Sequence, residues 1–522
     1  MEHIETVIVS VLVAVVVLSA IANRIGIPYP ILLVLGGLVL GFVPGIPEVE
    51  LAPELVLVVF LPPLLYSGAF FANLRDLRAD ARTITLLSTG LVVVTAGAVA
   101  VVVHELVDGL PWAACFALGG IVAPTDPVAA TTVARRLGVP RRTINILEGE
   151  SLINDASALV IYRIAVTAIG STVAFSFWGA TWDFAKAVVV GVFFGLLVAV
   201  VIREIRRRLD DPPVEITISI LSGYAAYVPA EHFDGSGVIA AVTVGIALGW
   251  WAPQIASPFV RQLGAGVWSL LTFLLNALLF VLIGLQLRQI LDSLQGETEG
   301  FLATAALAVS GTVILTRLVW VHAMTFVIRA LDRRQVQRTR RGSWQSRTVI
   351  AWAGMRGAVS LAAALALPAD TPQRDLLIFL TFTVILVTLV LQGLTLPMVI
   401  RALRVEDDDG EEREELKARM AATQAALVRL EELADADWTR DDTIERMTGL
   451  YAYRRRRLKA RAGKIDDDGY EDRSEAYQRV VREVLEAQRA AIVELRNQGT
   501  ISNDVMHRIE RELDLEDQRL EI

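Results

Sequence analysis

The stretch I-L-E-G-E-S-L-I-N-D-A-S-A-L-V-I-Y-R (146–163) places charged and amide side chains inside an otherwise apolar segment. In a helix these side chains fall on two adjacent faces, with Glu148, Ser151 and Asp155 on one and Glu150, Asn154 and Ser157 on the other. A charge in the middle of a membrane costs at least a few kcal/mol. Polar residues at such a depth are therefore functional candidates.

The rest of the chain is divided into an apolar part and a charged part. Of its 522 residues, 54% are hydrophobic and 20% are charged, and the mean hydropathy is +0.51. Residues 1–403 form apolar blocks, whereas residues 404–522 are rich in acidic and basic side chains. This pattern predicts an all-α polytopic membrane domain over 1–403, followed by a charged helical cytoplasmic tail over 404–522.

Charge and cysteine content exclude two broad classes. The net charge of −8 and the lack of a basic patch with interleaved aromatic residues argue against a nucleic-acid partner. The single cysteine, Cys115, excludes an intrachain disulfide framework. Residues 1–6 carry Glu2 and Glu5 and no basic group, so we expect a retained first span and no cleaved leader.

About thirteen apolar stretches are long enough to span a bilayer. They are 4–22, 29–45, 52–71, 83–104, 112–134, 143–169, 183–202, 214–231, 236–252, 264–287, 301–328, 347–368 and 376–400. The connections after odd-numbered spans hold nearly all the arginines, and those after even-numbered spans are acidic or neutral. This bias predicts a multi-pass protein of the cell membrane, with the N-terminus outside and the tail in the cytoplasm.

Two of these spans are interrupted in their interiors. The fifth contains A-P-T-D-P (123–127) and the twelfth contains A-G-M-R-G-A (353–358). If the first six and last six spans are repeats, their odd offset of seven inverts one half relative to the other. Paired interruptions in inverted halves are typical of a transporter site near the membrane midplane.

The first interruption has two interpretations. Pro124 and Pro127 would free the carbonyls of Gly120 and Ala123, and such oxygens beside Asp126 suit a hard monovalent cation. Alternatively, the helix is kinked for structural reasons and Asp126 only caps the next helical segment. The second interpretation does not account for Gly354, Arg356 and Gly357 in the twelfth span.

The position of Asp155 in this polar stretch indicates how a proton and a cation could be exchanged. A carboxylate in a low-dielectric cavity can hold either a proton or a cation near neutral pH. If the empty, ionised site cannot change sides, competition for one carboxylate gives obligatory exchange. The alternative is a structural ion pair between Asp155 and Arg163, Arg317 or Arg356. For Arg356 itself the sequence favours Glu150 as the partner, in a structural brace between the interrupted regions.

Five motifs resemble those of the cation:proton antiporter-1 family, the bacterial and eukaryotic Na+/H+ exchangers. They are F-L-P-P-L-L-Y-S-G-A-F (60–70), A-P-T-D-P-V-A (123–129), G-E-S-L-I-N-D-A (149–156), F-L-L-N-A-L-L-F-V-L-I-G-L-Q-L (273–287) and A-G-M-R-G-A-V-S-L (353–361). They follow the family's order across residues 1–403, and the combination is specific.

The resemblance implies thirteen helices in inverted repeats, with the fifth and twelfth interrupted at a crossing, and a homodimer. It implies that Asp155 carries the ion or proton, that Ser151 and the Thr125 backbone help to bind Na+, and that Asn154 supports Asp126. It also implies a Glu150–Arg356 pair and, from the Asn-Asp pair, electroneutral exchange. The sequence departs from the family at Ser67, where many members have an acidic residue.

We therefore expect a Na+/H+ antiporter that needs no cofactor and is not an enzyme, and whose partners are monovalent cations, protons and lipid. K+/H+ exchange is the alternative within this class. A membrane aspartyl protease using Asp126 and Asp155 would leave the paired interruptions unexplained. A passive cation channel would conduct without proton counter-transport.

Overall fold

The computed structural model of the chain describes residues 2–43, 56–169, 177–294, 298–331, 343–405, 410–463, 465 and 469–520. Every regular element in these ranges is a helix. Their contacts divide the chain into two compact units, residues 1–407 and 408–522. The boundary lies four residues beyond the predicted one at 403.

The first unit contains the apolar helices. We number them α1 Glu2–Ile25, α2 Tyr29–Gly41, α3 Leu61–Phe70, α4 Leu74–Ala79, α5 Ala81–Leu106, α6 Trp112–Val122, α7 Pro127–Arg136, α8 Arg141–Ile169, α9 Phe177–Arg206, α10 Pro212–His232, α11 Gly237–Ile255, α12 Pro258–Leu285, α13 Leu287–Asp292, α14 Glu299–Leu331, α15 Trp344–Trp352, α16 Ala358–Leu365 and α17 Arg374–Ala402.

Each predicted span overlaps a helix or a pair of helices of this unit. Within the described residues, eight helices are at least 18 residues long and apolar enough to cross a membrane. Shorter apolar helices cover 11–25, 29–41 and 56–70. The predicted stretches 29–45 and 52–71 extend into residues outside the described ranges. The chain is thus a multi-pass, all-helical membrane protein.

The two predicted interruptions are real breaks in the helices. The fifth span is split into α6 and α7 by residues 123–126, and the twelfth into α15 and α16 by residues 353–357. Proline at the first position of α7 needs no backbone N–H, and the Asp126 side chain accepts a hydrogen bond from Val128 N at 2.8 Å. The local sequence therefore both ends α6 and starts α7.

The breaks lie against each other. The backbone N–H of Asp126 donates to the carbonyl of Met355 at 2.8 Å, and Arg356 Nε donates to the carbonyl of Val122 at 3.0 Å. Gly357 allows this approach, because a Cβ atom there would overlap the Asp126 side chain. Extended backbone within a membrane protein thus finds its hydrogen bonds inside the protein.

Two groups of helices surround the breaks. On one side α8 packs against α5 and α6, and on the other α3, α9, α10 and α11 pack together. Tyr66 of α3 and Trp268 of α12 are buried in the second group, with ring centroids 5.3 Å apart. Cys115 of α6 is fully buried in the main apolar core.

The second unit is a set of charged helices with sparse apolar stripes. It comprises α18 Gly410–Ala434, α19 Asp441–Arg461, α20 Tyr470–Asn497 and α21 Asn503–Leu520. The last two form a small core of their own around Leu485, Ile492, Met506 and Leu513. Arg489 of α20 donates to Asp514 and Asp517 of α21 at 2.9 and 3.2 Å.

Candidate functional site

A cavity of about 520 Å³ lies where the two breaks meet α8. Its polar lining includes most of the residues that the sequence singles out, namely Ser67, Thr125, Asp126, Glu148, Ser151 and Asp155. The polar residues of α8 that line the cavity are Glu148, Ser151 and Asp155, which belong to the first of the two predicted faces. The polar face of α8 is thus turned toward the cavity. There it meets Ser67 of α3 and the residues of the first break.

Asp155 is 7% exposed, and it lines this cavity. Among the described residues, no side chain forms a hydrogen bond or ion pair with its carboxylate. Each arginine proposed as its partner is engaged elsewhere, Arg163 with Glu231, Arg317 with Glu150, and Arg356 with backbone carbonyls. The alternative ion pair is therefore not formed by the described residues, and the carboxylate remains open to a cation or a proton.

Asp126 has a place in both interpretations of the first interruption. It caps α7, as the kinked-helix alternative requires, and it also lines the cavity with Asp155. The first residues of α7 and α16 adjoin the cavity, so the positive ends of two helix dipoles favour negative charge there. Asp126 therefore makes a structural contact at the start of α7 and also lies in the cavity that Asp155 lines.

The second face of α8 makes a buried polar network. Arg317 forms a bidentate ion pair with Glu150, whose side chains are 0% and 1% exposed. Thr125 Oγ1 donates to Glu150 Oε1 at 3.2 Å, and Asn154 Nδ2 donates to Thr125 Oγ1 at 2.9 Å. The network joins α8 and α14 to the first interruption, and it holds Thr125 in place beside the cavity.

Two predicted contacts are corrected by this network. Glu150 is paired with Arg317 and not with Arg356, because α14 passes the second interruption and Gly354 leaves room for the Arg317 side chain. Arg356 instead donates to the carbonyls of Val122 and Gly354, so it braces the breaks through backbone oxygens. Asn154 bonds to Thr125, the neighbour of Asp126, and not to Asp126 itself.

One atom of the network has no partner. The side-chain oxygen Oδ1 of Asn154 is buried and accepts no hydrogen bond from the described residues. Asn154 is 1% exposed and does not line the cavity, although its neighbour Asp155 does. A buried acceptor without a donor is uncommon and calls for an explanation.

The cavity is bordered by a charged pair at the end of α7 and the start of α8. Arg135 Nη2 donates to Glu148 Oε1 at 2.6 Å, and the two side chains are 63% and 34% exposed. Elsewhere in the lining, the Ser67 hydroxyl is turned back to the Leu64 carbonyl at 3.0 Å. Glu148 is thus a cavity-lining carboxylate in addition to Asp126 and Asp155.

An ion pair joins α8 to α10 at the opposite end of α8. Arg163 Nη2 donates to Glu231 Oε2 at 2.5 Å, and Glu231 Oε1 accepts from Gly237 N at 2.8 Å. Arg163 is thus paired with Glu231 and not with Asp155, the partner that the ion-pair alternative gave it.

Further polar residues of the site have no role predicted from the sequence, among them Thr272, Asn276 and Ser360. Thr272 and Asn276 of α12 line the cavity from within an apolar helix, and Ser360 does so from α16. Polar residues one turn apart in an otherwise apolar helix are the signal that identifies the first two. No group of three or more His, Cys, Asp or Glu residues with the geometry of a metal site occurs in the part of the chain that the structure describes.

Known proteins match most of this chain. Residues 9–402 match the family model described as "Sodium/hydrogen exchanger, transmembrane". An uncharacterised Na+/H+ exchanger of Mycobacterium tuberculosis is 36% identical over 98% of this chain and 96% of its own length. The low-affinity Na+/H+ antiporter NhaS1 of Synechocystis is 33% identical over 78% of this chain and 75% of its own.

A solved structure has the same fold. The sodium proton antiporter MjNhaP1 of Methanocaldococcus jannaschii superposes with a TM-score of 0.61 at 22% identity. The match covers 77% of this chain and 99% of the other.

Proposed function

This chain belongs to the sodium/hydrogen exchanger family, and we propose that it exchanges H+ for Na+ by alternating access. It is a membrane transporter and not an enzyme. K+/H+ exchange is not favoured, because the relatives reported above carry Na+ in their names. The transported Na+ and H+ are substrates, and we propose no resident cofactor.

The observation that carries the proposal is the Asp155 carboxylate, which lines a cavity inside a membrane protein and has no partner among the described residues. An ionised carboxylate without a partner is costly in low dielectric. Binding either a proton or Na+ removes that cost, and the presence of one disfavours the other. If only the loaded site can change sides, the two ions must move in opposite directions.

For Na+ we propose oxygen ligands from Asp155, Ser151 and Thr125, since hard cations are bound by carboxylate, hydroxyl and carbonyl oxygens. Asp126 contributes charge to the same cavity without direct ligation. Asn154 positions Thr125 through its amide hydrogen bond of 2.9 Å. Its Oδ1 is buried and accepts no hydrogen bond from the described residues, so a cation or water near Thr125 would satisfy it.

We further propose a homodimer in the cell membrane, with the N-terminus outside and the tail in the cytoplasm. The arginine bias of the connections supports this orientation. Arg135 and the connection from Arg136 to Arg141 belong to the arginine-rich side, and Arg135 lines the cavity. On this basis the cavity opens toward the cytoplasm.

The proposal is tested by proton release from acid-loaded proteoliposomes. Na+, Li+, K+ and choline are added in turn, with and without a clamped membrane potential. We expect Na+ to drive proton efflux at a rate that does not depend on voltage. Efflux driven by K+ alone would replace the sodium assignment, and the absence of efflux with every cation would refute antiport.

Stoichiometry is tested at the Asn-Asp pair. We propose one-for-one exchange because position 154 is neutral, so that Asp155 is the one member of the pair that carries charge. Asn154→Asp adds a second carboxylate and should make the exchange respond to voltage. If exchange by this variant stays independent of voltage, the Asn154–Asp155 pair does not set the stoichiometry.

A further inference from the structure

A second, smaller cavity lies among the ends of four helices. It has a volume of about 140 Å³, which is more than a single water needs. Its walls come mainly from α9, α10, α11 and α12, close to where α9 and α11 end and where α10 and α12 begin. We call it the arginine pocket, after its lining residues Arg206 and Arg261.

Arg206 is buried in this pocket with part of its guanidinium unused. The side chain is 4% exposed, and its Nε donates to Glu215 Oε2 at 3.2 Å. Its Nη1 is buried and has no hydrogen-bond partner among the described residues. Leaving a buried charged donor unsatisfied is costly, so this geometry calls for an acceptor in the pocket.

Positive charge exceeds negative charge around the pocket. Glu215 balances one arginine, while Arg203 stacks on the Trp251 ring at 4.5 Å and Arg261 donates to a neutral carbonyl, that of Ala256, at 2.7 Å. Asp211 lies nearby as the cap of α10 and is exposed. The two arginines that line the pocket, Arg206 and Arg261, thus have one carboxylate partner between them among the described residues, that of Glu215.

The other polar group of the pocket is already satisfied. Ser219 Oγ accepts from Trp268 Nε1 at 3.0 Å and contacts Tyr66 OH at 3.2 Å. The remaining lining is apolar apart from backbone, with Phe70, Ile216 and Val260 among it. A ligand that enters must therefore be recognised by the two guanidinium groups.

We propose that the arginine pocket binds one phosphate group. A planar guanidinium presents paired N–H donors that match phosphate oxygens, and the net charge of the pocket favours an anion. The pocket also lies at the ends of membrane helices, the depth at which lipid phosphates occur. The source is either the headgroup of an anionic phospholipid or free inorganic phosphate. The assignment does not depend on transport.

The test is ligand-dependent thermal stability of the purified full-length protein in detergent, followed by tryptophan fluorescence. Phosphatidylglycerol in mixed micelles and inorganic phosphate are titrated separately, with phosphatidylcholine and matched chloride as controls. The variants are R261Q and the double variant R206Q/E215Q, which removes both charges of the buried pair together. R208Q is the matched control, because Arg208 follows the same helix but its side chain is 77% exposed.

We expect phosphatidylglycerol, phosphate or both to raise the unfolding midpoint of the unmodified protein and of R208Q. In R261Q and R206Q/E215Q the half-saturating concentration should rise about ten-fold or more, because charge-assisted hydrogen bonds are lost. A response to phosphatidylglycerol alone assigns the site to lipid, and a response to phosphate assigns it to the free anion. Equal stabilisation by phosphatidylcholine and chloride, or an unchanged response in both pocket variants, would overturn the proposal. If the double variant does not fold, R261Q decides.

Discussion

Asp155 concentrates the proposed chemistry in one side chain. Asp155→Asn keeps the shape of the residue but removes the group that binds both ions, so it should abolish exchange. Fold and oligomeric state should be retained, because no described residue depends on the Asp155 carboxylate for a hydrogen bond. Proton efflux from proteoliposomes measures the loss, and size-exclusion chromatography checks the fold.

Ser157→Ala provides the control for that substitution. Ser157 lies half a turn further along α8 and does not line the cavity. Its hydroxyl oxygen is 3.3 Å from that of Thr89. The variant should therefore exchange normally. An Asp155→Asn protein with full activity would remove Asp155 from the mechanism.

The same residues show how far the sequence predicts the contacts of single side chains. The spacing in 146–163 places Ser151 and Asp155 on the cavity side and Glu150 and Asn154 on the buried side, because helical periodicity is local. The partner of Glu150 is 167 positions away, and two buried arginines compete for it. The choice of Arg317 depends on how α14 packs, which the sequence pattern does not contain.

The interrupted helices could be located from their proline and glycine residues, and the structure adds the reason for one glycine. Gly357→Ala should lower both the thermal unfolding midpoint and transport, because the new Cβ would overlap Asp126 and push the two breaks apart. Gly311→Ala is the matched control, since nothing lies within 4 Å of the position that its Cβ would take and alanine favours the helix by about 0.5–1 kcal/mol. Thermal unfolding and proton efflux are measured for both. Equal unfolding midpoints and equal efflux rates in the two variants would mean that close contact between the breaks is not needed for stability or transport.

The ion pair of Arg163 and Glu231 offers a test of movement between helices. If α8 moves relative to α10 during transport, joining the two positions should stop exchange. We expect Arg163→Cys/Glu231→Cys protein treated with a short, reducible bifunctional thiol reagent to lose transport, and reduction to restore it. Proton efflux before and after reduction is the measurement.

The Lys186 and Asp234 pair supplies the control for this cross-link. Its atoms are 3.1 Å apart and it joins α9 to the α10–α11 connection, within one packed group. The same reagent on Lys186→Cys/Asp234→Cys should leave transport intact. Continued exchange by protein cross-linked between positions 163 and 231 would exclude the proposed movement.

The cavity and its hydrogen-bond network belong entirely to residues 1–407. A chain truncated after Val405 should therefore still exchange ions in proteoliposomes. A truncated protein that folds but does not transport would make the tail part of the mechanism.

The tail has a core of its own, so it should respond to core substitutions independently. In a fragment of residues 408–522, Leu485→Ala should lower the stability of the helices by about 2–5 kcal/mol, because Leu485 is 1% exposed. Leu515→Ala, at a position 50% exposed, should have little effect. Circular dichroism during heating measures both. Equal unfolding midpoints would show that the α20–α21 core does not form in isolation.

The only thiol of the chain is enclosed in the core around α6, where Cys115 is 0% exposed. Water-soluble, thiol-reactive spin labels and fluorophores should therefore not label Cys115. Any pair of cysteines introduced on the surface of the two helix groups can then be labelled selectively in an otherwise natural sequence. Distances between such labels can be measured by pulsed electron paramagnetic resonance spectroscopy in a sodium-containing buffer and in an acidic buffer. The two sets of distances would show which conformations Na+ and H+ each favour.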